Sequence, residues 1–212
     1  MPSVNKPQIM SKARIESFSD GVFSIVLTLL VFNFQVPKLS GPDFNQELYT
    51  KLVAMHSYCV TYVLSFILIS MFWIAHHNLF HNLKHSDSYL LWLNTLFLLF
   101  LAFIPFPTQV LGTYPDTEAA AVFFGIAMVL ASLSFSLLRY YSYYRGKLIN
   151  DSISNEYMCK SLIRSLSGVL LYIFAIAMSV YSPYVTLTVY ALIPFLVFIS
   201  VGSVEKVGSD RA

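Results

Sequence analysis

The chain has 212 residues, of which 57% are hydrophobic and only 11% charged, with a formal net charge of +2 and a mean hydropathy of +0.66. Soluble domains carry about a quarter charged residues, so this composition excludes an ordinary soluble fold and indicates an integral membrane protein. The slight positive balance gives no footing for nucleic-acid binding. The polar stretches between apolar runs are short, which places any activity within the membrane or at its faces.

Six apolar runs, at residues 18–36, 53–75, 89–111, 119–138, 161–181 and 184–202, each approach the length a helix needs to cross roughly 30 Å of hydrocarbon. We therefore expect an all-α fold of six transmembrane helices forming one domain over 1–212, with a short cytoplasmic segment at 1–13. The polar lead-in to the first run, and Asn33-Phe-Gln-Val-Pro37 after it, lack the form of a signal-peptide cleavage site, so that run is expected to be a retained span. Ser182 and Pro183 alone separate the last two runs, and Pro194 interrupts the sixth, which implies a tight turn followed by a kinked helix. With the N-terminus inside, only Lys38 and Lys51 of the thirteen Lys and Arg fall outside, so both termini are expected to be cytoplasmic. Cys59 lies within the second span and Cys159 in an inner loop, and they are not expected to pair. Arg139, Arg145 and Lys147 interleave with Tyr140, Tyr141, Tyr143 and Tyr144 directly after the fourth span; this reads as an interfacial aromatic belt meeting membrane lipid, not an RNA-binding patch.

The first span carries the most information. Residues 14–20, Arg-Ile-Glu-Ser-Phe-Ser-Asp, run straight into apolar sequence, and an ionisable Asp20 at a membrane boundary needs a partner or water. At about 100° per residue, Phe18, Gly21, Val22, Leu29 and Phe32 fall within about 60° of Ile25, with Thr28 at the edge and Asp20 about 140° away. The pattern alone leaves two readings of this stripe: a face packed on lipid or a neighbouring helix, or a hydrophobic pore lining with a hydroxyl level at Thr28. Asp20 is expected to find donors in Trp73, His76 and His77 of the second span and in Trp92 and Asn94 of the third. Arg14 has three readings: snorkelling to headgroups, closing that polar network, or lining an entrance. Glu16 and Asp20, four residues apart, suit a proton relay or plain interfacial polarity.

His77, His81 and His85 recur every four residues, a spacing that zinc can use, with Asp87 as a further ligand. The same residues read more simply as a polar face, with Asp87 capping the third span. We expect no bound metal and no cofactor. Phosphate loops, nucleophile elbows and His-Glu-x-x-His stretches are missing from the sequence, so an enzyme is not expected.

Arg14-x-x-x-Phe18-Ser19-Asp20 at the head of the first span resembles the hallmark of the transmembrane protein 175 family of potassium channels. Trp73-x-x-His76, Leu93-Asn94 and Phe103-Ile104-Pro105-Phe106 are similar to the family pattern as well, and the likeness covers roughly the first half of the chain. The resemblance implies one six-helix repeat, a bacterial homotetramer in the inner membrane, and a pore lined by the first helices without a Thr-Val-Gly-Tyr-Gly filter, a sequence absent here. It further implies constriction at Ile25, Leu29 and Phe32, ion selection at Thr28, and a packing network of Arg14, Phe18, Ser19, Asp20, Trp73, His76 and Asn94. K⁺ would be the permeating ion. A secondary transporter and a metal-binding structural protein are the competing classes.

Overall fold

The computed structural model describes residues 11–194 and 196. Among the described residues eight α-helices follow one another: α1 (Lys12–Leu29), α2 (Phe44–Ala54), α3 (His56–His81), α4 (Ser88–Phe103), α5 (Pro105–Thr113), α6 (Glu118–Tyr140), α7 (Asn155–Met178) and α8 (Pro183–Pro194). Five stretches are long and apolar enough to cross a membrane: α1 with its 3₁₀ extension, α3, α4 with α5, α6 with its π-helical extension, and α7. The shorter α8 falls at the start of the sixth apolar run, and the rest of that run, bar Leu196, lies outside the described residues. The protein is thus a multi-pass, all-helical membrane protein.

Local chemistry sets the helix ends. Asp43 caps α2 by accepting from the Asn45 and Gln46 N–H groups, Asp87 caps α4 through Leu90 N, and Ser154 caps α7 through Tyr157 N. Pro105 has no N–H to donate, so the third span breaks there. Ile104 N turns back to Leu101 O at 3.1 Å, and Thr108 N resumes the helix on Ile104 O. α6 runs on into a π turn, Tyr141–Arg145, which Gly146 and the left-handed Lys147 (φ 49°) bring to an end.

Several boundaries differ from those read off hydropathy. α1 starts at Lys12, six residues before the first apolar run, because helix continues through the polar motif where backbone bonding costs nothing extra. Its 3₁₀ turn, Leu30–Asn33, ends short of Val36. All of α2 but its last two residues lies in what hydropathy treats as a loop, and none of its residues is buried. α3 reaches His81, so His77 and His81 share its last turns while His85 sits in the following loop.

Small residues organise the packing. α6 carries Ala120, Ala121, Gly125, Ala127 and Ala131, all buried, and packs against α4, α5 and α7. Of its apolar window 61% is buried within the chain, against 17% for α7, so α6 is central and α7 lies at the rim. A Cβ on Gly125 would come within 2.2 Å of Tyr190 Oη and 2.5 Å of Ile176 Cγ1. The Tyr190 hydroxyl crosses from α8 to Ala121 O at 3.0 Å, which fixes that close approach. Away from α6, α1 packs on α3 and α4.

The end of the bundle bearing Arg14–Asp20, here the motif end, is tied by its loops. Leu83 and Ile149 form an isolated antiparallel bridge, Lys84 N donates to Leu148 O, and Lys84 pairs with Asp151 at 2.8 Å. Lys12 Nζ reaches Leu83 O at 3.0 Å and joins α1 to the same clasp. At the far end, Glu47 of α2 pairs with Lys51 at 2.6 Å and accepts from the Gly41 and Ser40 N–H groups at 2.7 and 3.0 Å. Those three donors, Lys51 foremost, hold the Glu47 carboxyl at about 2, below its ordinary 4.5.

Two predictions follow from this packing. Gly125→Ala is expected to cost about 1–3 kcal/mol, since the fully buried Tyr190 must give up its bond to Ala121 O and Ile176 must repack to admit the methyl. A detergent melt at the wild-type temperature would refute the close approach. The Glu47 clasp is complete above 4.5 and is lost as pH falls through about 2, because its folded carboxyl stays ionised below the unfolded one. NMR titration of the Glu47 carboxyl should find its midpoint near 2, and Lys51→Met should move it upwards; a wild-type midpoint near 4.5 overturns the assignment.

Candidate functional site

α1 has two unlike faces. Ile15, Ser19, Phe23, Val26, Leu30 and Asn33 are buried against α3, α4 and the Pro105 break, while Phe18, Gly21, Ser24, Ile25, Thr28, Leu29 and Phe32 are exposed within the single chain. Ile25 keeps 59% of its surface and Phe32 74%, so no element among the described residues covers them.

The buried face is locked by a directional relay. The Ser19 hydroxyl donates to Ile15 O at 2.9 Å, so its oxygen accepts from Asn94 Nδ2 at 2.9 Å. Asn94 Oδ1 is then left to accept from His76 Nε2–H, also at 2.9 Å. That order assigns the proton of a neutral His76 to Nε2 and leaves Nδ1 without a partner. The imidazole is wedged among aromatic rings, stacked on Phe80 at 4.2 Å and edge-on to Phe23 at 5.6 Å. Ser19, His76 and Asn94 are all buried, so each bond replaces water that cannot enter.

Of the donors expected for Asp20, namely Trp73, His76, His77, Trp92 and Asn94, Trp73 alone bonds to it among the described residues, and the inward packing against His76 and Asn94 that the resemblance implied for Asp20 falls to Ser19. Asp20 Oδ1 accepts from Trp73 Nε1 at 3.0 Å on the flank of α1, and Ser19 takes the inward place. The reason is rotational. Core-facing Phe23, Val26 and Leu30 line up with Ser19, which leaves Asp20 about 100° round the helix. Arg14 and Phe18 do not join the relay: both are exposed, and the Arg14 side chain makes no hydrogen bond among the described residues. Glu16 faces His77, 3.6 Å from its Nδ1, a contact that pairs two residues the sequence had considered only separately. His77 and His81 lie ring to ring at 6.4 Å, and the described residues hold no group of three metal-ligating side chains.

On the exposed face the Thr28 hydroxyl bonds back to Ser24 O and Ile25 O, at 3.0 and 2.9 Å. Ser24 does the same one turn earlier, to Asp20 O at 2.9 Å. The sequence reading missed Ser24, although its place four residues before Thr28 puts it on the adjoining edge of the same stripe. It missed Asn33 too, whose Nδ2 donates to Pro105 O at 3.3 Å and ties the far end of α1 to the break between α4 and α5.

These features define a class: a multi-pass helical membrane protein whose first helix is pinned along one face by a buried polar relay and carries an uncovered apolar face opposite. The family model described as endosomal/lysosomal potassium channel TMEM175 matches residues 14–105, which hold the whole relay. A protein of Streptomyces collinus named as a potassium channel is 32% identical over 184 residues, covering 85% of this chain and 88% of that one. A Chryseobacterium protein named likewise is 27% identical and covers 93% of this chain and 97% of its own. The human endosomal/lysosomal proton channel TMEM175 is 36% identical over 105 residues, 47% of this chain and 21% of its own. Among solved structures, a lysosomal potassium-selective channel TMEM175 homolog from Chamaesiphon minutus superposes with a TM-score of 0.78 at 25% identity, over 89% of this chain and 96% of that one. The chain belongs to the TMEM175 family.

Burial predicts how the relay responds to mutation. Ser19→Ala strands Asn94 Nδ2 and is expected to cost about 1–3 kcal/mol, and Asn94→Leu more, because it strands both neighbours. Trp73→Phe, at a partly exposed pair, should cost less than about 1 kcal/mol. Thermal melts of the three variants in one detergent check the order, and equal losses would show that burial does not decide it.

Proposed function

We propose that the chain is a potassium channel subunit in which the exposed face of α1, contributed by several copies, surrounds a central pore. The observation that carries this reading is the uncovered stripe of Ile25, Leu29 and Phe32 with Thr28 beside it, on the face turned away from the relay. The relatives named as potassium channels support it.

In this reading Ile25, Leu29 and Phe32 narrow and dewet the path, so an ion crosses only after shedding part of its hydration. The back-bonded hydroxyls supply the opposing attraction. A hydroxyl that has given its hydrogen to a backbone carbonyl turns only oxygen lone pairs outward, and Thr28 and Ser24 are both committed in this way. A level of such oxygens favours a partly dehydrated cation and repels an anion. The assembly we propose is a homotetramer with fourfold symmetry in a bacterial inner membrane, both termini and the motif end facing the cytoplasm. No cofactor enters this mechanism.

The deciding experiment is a bi-ionic reversal potential for purified, reconstituted protein, K⁺ on one side and Na⁺ on the other. Reversal towards the K⁺ equilibrium potential is expected. Reversal that follows an imposed pH gradient instead would assign protons as the permeant ion, as the name of the human relative suggests for that protein. Saturable, ion-coupled flux without channel current would make the chain a transporter. Within a conducting channel, Thr28→Val should lower K⁺ over Na⁺ permeability by about threefold or more, and Ile25→Ala should raise unitary conductance by relieving the dewetted level. An unchanged permeability ratio in Thr28→Val removes Thr28 from ion selection.

A further inference from the structure

Arg139 is a buried cation that meets no carboxylate among the described residues. It keeps 6% of its surface, packed between α6 and α7 near their motif ends. Nη1 donates to Ser161 O at 2.8 Å and the guanidinium carbon lies 4.7 Å from the centre of the Phe135 ring, but Nε–H has no acceptor. An arginine keeps its charge throughout the physiological range, and a charge taken out of water needs an opposite one. The carboxylates described at the motif end are engaged elsewhere. Glu16 faces His77, Asp20 holds Trp73, Asp87 caps α4 and takes the Tyr141 hydroxyl, Asp151 pairs with Lys84, and Glu156 pairs with Lys160. The ionisable side chains that act on Arg139 are Tyr143, Tyr157 and a second cation, Arg164.

We propose that the seam between α6 and α7 at this end binds an anionic phosphate group, the headgroup of a membrane phospholipid, with Arg139 as its anchoring cation. One phosphate oxygen supplies the acceptor that Nε lacks, and a second meets another N–H of the same guanidinium, a fork that arginine offers and lysine does not. Arg164 adds positive charge beside it, so a headgroup of net negative charge is favoured over a zwitterionic one, whose ammonium both cations repel. Position selects lipid as the source of the phosphate. The fourth span runs from Glu118 to Arg145, and Arg139 lies about 9 Å along its axis from the Arg145 end, where hydrocarbon gives way to headgroups. Tyr140 and Tyr144, both exposed, accompany it as an interfacial belt. α1 packs on α3 and α4, whereas α7 packs on α6 and has 17% of its apolar window buried, so the seam opens towards lipid and away from the stripe on α1. Tyr157, Ser161 and Arg164 of α7 are half-buried, and these are the side chains that part to admit the headgroup.

The test uses the purified full chain in a neutral detergent. Native mass spectrometry with added phosphatidylglycerol, phosphatidylcholine or inorganic phosphate measures what is bound, and thermal melts with the same additives give a second reading. Wild type is expected to bind phosphatidylglycerol about tenfold more tightly than phosphatidylcholine and to melt higher in its presence. Arg139→Gln should lose about tenfold or more of the phosphatidylglycerol affinity, the loss expected when a hydrogen bond to a charged group goes. Arg139→Lys, which keeps the charge and loses the fork, should fall between. Arg145→Gln removes a cation of the same belt and should bind as wild type does. An equal loss in Arg145→Gln would show general attraction of anionic lipid to basic residues and overturn the site, and so would unchanged affinity in Arg139→Gln. Inorganic phosphate that displaces the lipid and reproduces its effect on melting would overturn lipid as the source. If Arg139→Gln does not fold, wild type and Arg139→Lys decide: no preference for phosphatidylglycerol, or an Arg139→Lys protein indistinguishable from wild type, refutes the proposal. None of these measurements depends on ion current, so they stand apart from the pore reading.

Discussion

Hydrogen bonding inside a medium with no water is the constraint on which this structure depends. A polar side chain in a transmembrane bundle has only other protein groups to satisfy it, so one buried hydroxyl can dictate the orientation of a whole helix. Ser19 does this for α1. Its hydrogen goes back to Ile15 O, its oxygen receives Asn94, and Asn94 in turn receives His76, so three helices are fixed by bonds that run in a single direction. Reversing one member would set two donors or two acceptors against each other in an apolar interior. The aromatic rings around His76 add dispersion and exclude water, which keeps the relay from exchanging its partners for solvent.

Fixing one face of α1 determines what the other face presents. With Ser19, Phe23, Val26 and Leu30 committed to α3 and α4, helical geometry turns Ile25, Thr28, Leu29 and Phe32 outwards, where no element among the described residues covers them. α6 is built the opposite way. Its small residues let α4, α5, α7 and α8 close around it, with Tyr190 sealing the approach at Gly125. One chain therefore contains a central helix that is satisfied by its neighbours and a first helix that is satisfied on one side only.

Hydropathy made the long helices legible because burial in lipid demands continuous apolar length, and α3, α6 and α7 show that length plainly. It did not reveal the break at Pro105, since Phe-Ile-Pro-Phe is apolar throughout and hydropathy does not register a missing N–H. Nor did it reveal α2, an eleven-residue helix whose capping Asp43 and Glu47–Lys51 pair are local signals lying outside any apolar run. At the site, the motif residues were legible as a set, but their division of labour was not. Asp20 drew attention because it carries charge, whereas the inward place went to the neutral Ser19. In a low-dielectric core a hydroxyl that both donates and accepts is cheaper to bury than a carboxylate that only accepts. Asp20 stays on the flank, where an indole N–H is enough for it. The contact of Glu16 with His77 was not legible, because hydropathy carries no information on how α1 and α3 are rotated against each other.

The anchoring of α1 is distributed along its length, and that bears on how such a helix can move. Lys12 holds it to Leu83 O at the motif end, Ser19 to Asn94 a little further along, and Asn33 to Pro105 O at the far end. These three ties are unequal. The Ser19 bond is buried and costly to strand, whereas the Lys12 bond is only partly buried and made by a flexible side chain, so the first turns of α1 are the part freest to shift. Any rearrangement of low energy in this helix therefore pivots about Ser19 and leaves the stretch from Phe23 to Asn33 in place. That stretch holds Ile25, Thr28, Leu29 and Phe32, so the fold separates a firmly packed segment bearing the exposed stripe from more compliant first turns before it.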